Sequence, residues 1–298
     1  VSAAAAGTGP AGARRACRIV IASGKGGTGK TTVAVNLARA CGGPVQVLDC
    51  DVEAPNAHLF LRGTPQGSTP CMVMVPEIDA AVCDGCGECA RLCAYNAIAV
   101  AGTRTLIFPE LCHSCGGCVQ VCPRQAIREI PHRIGDVETQ QAGLITLTLG
   151  RLDIGVAMAP PLIRAVQARA QGGRPVIIDA PPGTSCPAVT AVRAAEYAVL
   201  VTEPTPFGLH DVRLAVAMTR TLGVPCGVVV NRAGSGDERV QLFCQAEAIP
   251  LLLEIPDDRR IAEAYARGAL IFDALPEYRA AFVMLWDRVQ SIHHKPHE

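Results

Sequence analysis

The chain has 298 residues, 49% hydrophobic and 18% charged, with a formal net charge of zero, the composition of a globular enzyme with one large core or a core plus a small module. The zero balance gives no reason to expect nucleic acid or anionic lipid as a partner, and no run of about 18 apolar residues suggests a membrane span. Fifteen cysteines without a secretory signal argue for a reducing cytoplasm, where thiolates are kept for metal.

Residues 1–16 are small and lack a continuous apolar stretch, and they are expected to form a disordered tail. Arg18 to Ser23 (RIVIAS) reads as a short buried strand. It runs into Gly24, Lys25, Gly26, Gly27, Thr28, Gly29, Lys30, Thr31 and Thr32, and then into a helical pattern through Val33, Leu37 and Cys41. Strand, glycine-rich loop and helix in that order make a phosphate-binding loop. Its glycines let successive N–H groups turn inward around an anion, Lys30 reaches the β- and γ-phosphates of ATP, and the Thr31 hydroxyl serves Mg2+. Lysine is otherwise almost absent: of 27 basic residues only Lys25, Lys30 and Lys295 are lysines, and two of those lie in this loop. A slim ammonium enters a pocket that a planar guanidinium would not fit.

Val45 to Leu48 is a second short strand, ending in Asp49, Cys50 and Asp51. Beyond it come two cysteine runs of one form, Cys83/Cys86/Cys89/Cys93 and Cys112/Cys115/Cys118/Cys122. The spacing CxxCxxCxxxC, given twice, is that of a ferredoxin with two cubanes, in which the fourth cysteine of each run ligates the cluster held by the other. It predicts one [4Fe-4S] cluster on Cys83, Cys86, Cys89 and Cys122 and another on Cys112, Cys115, Cys118 and Cys93. Ala97-Ile98 recurs as Ala126-Ile127 at the same 29-residue offset, so the segment is an internal duplication with a pseudo-twofold axis. Gly87 and Gly116-Gly117 suit close approach of backbone to sulfide. A pair of zinc sites is the alternative, and it fits longer intervening segments. The duplicated segment, residues 76–131, lies inside the chain as an insertion. About fifty residues bury too little apolar area to fold unaided, so the clusters are expected to act as its core.

Ile145, Leu147 and Leu149 alternate with threonines as a half-buried strand does, within a re-entry segment Glu138 to Leu149. Val176 to Ile178 is another apolar strand, ending at Asp179 and followed by Pro181-Pro182-Gly183-Thr184. Strands at Ala198–Thr202, Gly227–Asn231 and Leu251–Ile255 alternate with helical stretches Leu209–Leu222, Asp237–Ala248 and Arg259–Ala266. That alternation predicts an α/β fold with a mostly parallel, doubly wound sheet and a small α+β insert. Glu277 to Ile292 reads as an amphipathic helix packing on its own domain, and His293, His294 and His297 as a solvated tail.

With Lys25 ahead of the ordinary loop lysine, the chain resembles the deviant Walker A (SIMIBI) P-loop ATPases that include MinD, ParA, Mrp and the nitrogenase iron protein. The resemblance covers Arg18 to about Leu275 and implies an ATP hydrolase built from residues 17–75 and 132–298. It implies that Lys25 contacts the nucleotide of a partner subunit across a sandwich dimer. Val52 to Asn56 resembles the family's switch I, making Asp51 the group that orients the attacking water. Asp179 to Thr184 resembles Walker B and switch II, with Asp179 on magnesium and Gly183 free to move. Lys25, Lys30 and Asp51 are then the catalytic set, and Thr31, Asp51 and Asp179 the magnesium set. Asn231, Pro256 and Asp257 resemble the base-recognition positions. Cys186 is either a buried structural thiol or a ligand to a cluster shared between subunits. The expected partners are a second copy or a related ATPase and a redox or iron–sulfur protein, with no nucleic acid. Three functions stay open: an ATPase that gates electron flow, a cluster assembly or carrier protein, and a positioning ATPase of the MinD/ParA kind.

Overall fold

The computed structural model describes residues 17–293, so the expected tail 1–16, His294 and His297, and the side chain of His293 lie outside the described residues. The described residues form eleven strands: β1 (Arg18–Ala22), β2 (Val45–Asp49), β3 (Thr64–Ile78), β4 (Ile98–Ala101), β5 (Arg104–Ile107), β6 (Ile127–Ala142), β7 (Ile145–Leu152), β8 (Val176–Asp179), β9 (Tyr197–Thr202), β10 (Cys226–Ala233) and β11 (Leu251–Pro256). Nine form one sheet in the order β11-β10-β9-β1-β8-β2-β7-β6-β3, and β4 and β5 form a separate hairpin. From β11 to β7 every neighbouring pair is parallel; β6 and β3 continue the sheet antiparallel.

Helices cover both faces, and the strands show why. Val20 and Ala22 of β1 with Val176 and Ile178 of β8 feed one core, whereas Ile19, Ile21 and Ile177 feed the other, the period-two alternation of a strand buried on both sides. The first core is closed by α4 (Ala159–Gln167), α5 (Cys186–Arg193), α6 (Pro206–Thr221) and α7 (Arg239–Ala246), through side chains such as Leu162, Val192, Val216 and Val240. The second is closed by α1 (Lys30–Ala40), α9 (Ile271–Ala274) and α10 (Arg279–His293), with α8 (Arg259–Ala266) beside them. Phe282, Leu285 and Val289 of α10 are fully buried there, so this helix packs on its own domain. Among the described residues no helix is long and apolar enough to cross a membrane.

The re-entry segment differs from its expectation. The expected strand through Ile145, Leu147 and Leu149 is present as β7, after β6 ends at Ala142, but it is not half-buried. Thr146 and Thr148 are buried as well as the aliphatics, because β7 sits between β2 and β6. Their hydroxyls are satisfied by Gln141 (2.9 Å) and Gln46 (3.2 Å).

β3 and β6 are longer than the sheet. Their pairing runs from Thr64 opposite Gln141 to Ile78 opposite Ile127, whereas β6 pairs with β7 only from Gly135 onward. Leu152, opposite Gly135, lies level with Val52, just past the end of β2. The far half of the ribbon, 72–78 with 127–133, therefore projects from the edge of the sheet that carries the phosphate loop. Residues 79–126 sit at its tip, with two short helices, α2 (Glu88–Leu92) and α3 (Gly117–Val121).

The tip is duplicated in structure as in sequence. The helices stand 29 positions apart, and so do three pairs of residues with positive φ: Gly85/Ser114, Gly87/Gly116 and Asn96/Gln125. Asp79 N–H donates to Ala126 O (2.8 Å) and Phe108 N–H to Ala97 O (2.9 Å), the same bond exchanged between the two copies. Ile78 opposite Ile127 and Ile107 opposite Ile98 are likewise mates. Gly87 and Gly116 precede their helices at φ 79° and 70°, a left-handed start that a side chain would strain.

Candidate functional site

The phosphate loop joins β1 to α1. Gly29 lies at φ 96°, and a Cβ there would stand 2.5 Å from the Asn231 amide nitrogen, so only glycine fits. Gly24 is as constrained, against the Asp211 backbone carbonyl at 2.2 Å from a Cβ position. Lys30 is buried, with its ammonium donating to Ser23 Oγ (3.0 Å) and Lys25 O (3.5 Å). Ser23 donates in turn to Lys25 O at 2.5 Å, which sets the turn of the loop. Thr28 holds the bend where its carbonyl accepts from the Asn231 amide (2.8 Å).

The ends of β8 and β2 bring the carboxyls of Asp179 and Asp51 near Lys30. Burial lowers the Lys30 pKa, opposed by the charges of Asp179 and Asp51. Asp179 at the end of β8 is buried, and neither of its oxygens has a hydrogen-bond partner. Burial first, and then the charge of Asp49, pushes its pKa well up; the Thr31 hydroxyl, outside hydrogen-bonding geometry, and Lys30 pull the other way. Asp51 is raised by burial, lowered by Lys30 and raised again by Glu53. An orphaned buried carboxylate beside a threonine hydroxyl is a donor set suited to a hard divalent cation.

Asp49 has a role that the sequence reading missed. It is fully buried, and its two oxygens accept from the backbone N–H groups of Asp51 (3.1 Å), Asn56 (3.0 Å) and Ala57 (3.0 Å). Burial pushes its pKa up to about 6 in spite of these bonds. Asp49 thus shapes the loop that presents Asp51. That loop is tied to the ribbon: Leu152 N–H donates to Val52 O (2.9 Å), Asp153 N–H to Ile134 O (2.9 Å), and the Asp153 carboxylate pairs with Arg133 (3.0 Å).

A cleft of about 350 Å³ opens beside the loop, bordered by Gly26, Gly27, Gly29, Lys30, Thr31, Thr32 and Asp51 on one side and by Asn231, Pro256 and Asp257 on the other. The predicted phosphate and base positions therefore meet in one cavity. Asn231 is already engaged at both ends, since its oxygen accepts from Arg232 N–H (3.0 Å) while its nitrogen braces Thr28. Lys25 does not line this cleft; it pairs with Glu203 at 3.1 Å. Glu203 and Tyr265 belong to the region without having stood out in the sequence, because no spacing rule marks them.

At the tip, the eight cysteines of the repeats border two hollows. Cys83, Cys86, Cys89 and Cys122 line one, with Thr105 and Ile127. Cys93, Cys112, Cys115 and Cys118 line the other, Cys89 touching it too, and the stacked rings of Tyr95 and His113 (centroids 3.5 Å, 6° between planes) stand at its side. Each hollow thus takes three thiols from one repeat and the last from the other. Among the described residues no three His, Cys, Asp or Glu side chains converge as they would around a single metal ion. Burial raises the thiol pKa of Cys89, Cys112 and Cys118. Cys186, at the start of α5, is exposed, so the buried structural alternative for it is wrong: its helix begins at the surface after the Gly183 turn.

The profile of the CobQ/CobB/MinD/ParA nucleotide binding domain matches residues 19–271. Uncharacterized protein MJ0578 of Methanocaldococcus jannaschii is 30% identical over 244 residues, 80% of this chain and 86% of that protein. An iron-sulfur cluster carrier protein of Pyrococcus horikoshii is 26% identical over 285 residues, 88% of this chain and 82% of the relative. Among solved structures, the septum site-determining protein MinD of Pyrococcus horikoshii, complexed with Mg-ADP, superposes with a TM-score of 0.58 at 22% identity, covering 94% of this chain and 98% of that one.

Proposed function

The chain belongs to the CobQ/CobB/MinD/ParA nucleotide-binding family, and we propose that it is an ATP-hydrolysing iron–sulfur protein of deviant Walker A type, in which nucleotide-dependent pairing gates electron transfer or partner docking through two [4Fe-4S] clusters. The observation that carries this reading is the crossed sharing of thiols between the two hollows at the tip of a ribbon that projects from the nucleotide edge. A cubane binds one thiolate at each of four irons, so its ligands ring a volume instead of meeting at a point. Cys83, Cys86, Cys89 and Cys122 would hold one cluster and Cys112, Cys115, Cys118 and Cys93 the other, supplying one-electron carriers.

In the ATPase body, residues 17–75 with 132–298, Lys30 and the N–H groups of the loop bind the β- and γ-phosphates, which face the N-terminus of α1. Thr31, Asp51 and Asp179 would hold Mg2+, whose charge offsets that developing on the transferred phosphoryl group. Asp51, steadied by Asp49, orients the attacking water. Lys25 reaches the nucleotide of a second copy or of a related ATPase. The ties from Val52 through Leu152 and Asp153 to Ile134 give the insert, residues 76–131, a mechanical link to that loop.

The carrier reading is kept because relatives of this chain are named iron-sulfur cluster carrier proteins. The two readings part on one experiment. Anaerobically prepared holoprotein is mixed with an apo-ferredoxin acceptor, with and without Mg-ATP, and cluster content and reversible reduction are followed by EPR and absorbance. Clusters that stay in place and cycle between oxidation states support the gate. ATP-dependent transfer to the acceptor supports the carrier, and zinc in place of iron sinks both.

A further inference from the structure

Lys25, one of only three lysines in the sequence, is engaged within its own chain. Its ammonium lies 3.1 Å from one carboxylate oxygen of Glu203, and the other oxygen takes Arg232 at 2.8 Å. The Glu203 side chain is 11% exposed and that of Lys25 33%. Glu203 follows the last residue of β9 and is held by a rigid turn. Thr205 N–H donates to its carbonyl (2.8 Å), Thr202 Oγ to Gly208 O (2.8 Å), and a Cβ on Gly208 would stand 2.1 Å from the Glu203 carbonyl. Arg232 is held as firmly, at φ 55°, with its N–H on Asn231 Oδ1 and its carbonyl accepting from Ser235 Oγ (2.7 Å). One carboxylate therefore joins the front of the phosphate loop to a residue bordering the nucleotide cleft.

We propose that Glu203 is the positioning residue for Lys25: it keeps the ammonium over its own chain until the polyphosphate of a second copy competes for it, and so sets the protein concentration at which ATP pairs two copies. This rests on the reading that Lys25 crosses the seam between subunits. The double pairing makes the exchange feasible. Stripping a buried carboxylate of all cations is strongly unfavourable, but when Lys25 leaves, Arg232 remains, so Glu203 is never uncompensated. Polyphosphate, with several negative charges, outbids a single carboxylate for the ammonium. Solvent reaches a third of Lys25, which keeps the hold modest enough to be broken.

The test uses the full chain and E203Q, K25A and the double variant. Association with and without Mg-ATP is followed by sedimentation, and ATPase rate is measured against protein concentration. E203Q should pair at about fivefold lower protein concentration, the scale of a partly exposed ion pair. On the K25A background E203Q should do nothing. Because the lysines are so few, Nζ resonances of lysine-labelled protein report the pair directly: one ammonium signal should lose its protection from exchange in E203Q while that of Lys30 stays. If E203Q unfolds, E203D keeps the charge one methylene short and should shift association in the same direction. Unchanged association in E203Q, an equal shift on the K25A background, or an unmoved Lys25 signal overturns the proposal. Wild-type protein that does not pair with ATP while its Lys25 signal is protected overturns instead the seam reading beneath it.

Discussion

The body of the protein buries whole aliphatic side chains on both faces of its sheet, Leu162, Ile163 and Val166 on one and Leu37, Phe282 and Leu285 on the other. The tip beyond Ile78 and Ile127 encloses Cys89, Ala97, Ile98, Ala126 and Ile127, helped by partly buried Ile107, Val119 and other thiols. At roughly 1.5–3 kcal/mol for each large side chain removed from water, the first set can offset the chain entropy of a large domain. Five residues, two of them alanines, cannot do so for the 79–126 segment. The comparison teaches that thiols stand at the tip where leucines stand in the body, so that on the proposed reading metal binding there would be a folding reaction.

The strongest way to break this comparison is to remove the metal. If iron bound to eight thiolates supplies the missing core, chelation of anaerobic holoprotein should strip hydrogen-exchange protection from amides 79–126 by orders of magnitude, while β1, β8 and β9 keep theirs. Equal protection of the tip with and without metal would mean that its few isoleucines suffice. The reciprocal experiment comes next in size. Leu162→Ala empties a fully buried site under β7, and should cost the body about 2–5 kcal/mol in denaturant unfolding without altering the cluster spectrum.

A smaller effect tests the seam between the two regions. Asp49→Asn keeps the shape but offers one acceptor oxygen where three N–H groups now converge on two. It should destabilise by about 1–3 kcal/mol, the cost of buried donors left unmade. Because the loop it orders carries Asp51 and Val52, ATP hydrolysis should fall more than nucleotide affinity does. A loss confined to affinity would show that Asp49 serves the phosphate loop and not the 51–57 loop.

These regions were not equally readable from the residues. β1, β8 and β9 announce themselves because a strand buried on both faces is a short continuous apolar run, and the thiol spacing carries in its numbers the crossed grouping of thiols around the two hollows. The ribbon was invisible. Thr64 to Ile78 holds Pro65, Pro70 and Pro76, which argue against a strand wherever a ladder bond is needed, and only its place at the sheet edge makes them tolerable. Thr146 and Thr148 read as the solvent face of β7 until the neighbouring strands close over them. Asp49 and Glu203 have no motif; each acts through backbone groups or cations that only the fold assembles.

Thiol chemistry sharpens the comparison at its finest scale. In the body, burial keeps thiols inert: Cys17 is pushed up to about 12, burial aided by Glu196, and Cys244 to about 11, burial aided by Cys226. At pH 8 that leaves thiolate fractions of about one in ten thousand and one in a thousand, too few to react with an alkylating reagent in minutes. At the tip, Cys86 and Cys115 are exposed, and only a bound cluster would silence them. Iodoacetamide added anaerobically to iron-loaded protein should therefore mark Cys186 ahead of the rest, since it is exposed and belongs to neither set. After chelation, peptide mapping should find Cys86 and Cys115 labelled as fast as Cys186, with Cys17 and Cys244 still bare. Labelling of Cys86 and Cys115 at one rate in both preparations would place no metal on them, and the distinction between a core of carbon and a core of sulfur would fail at its simplest point.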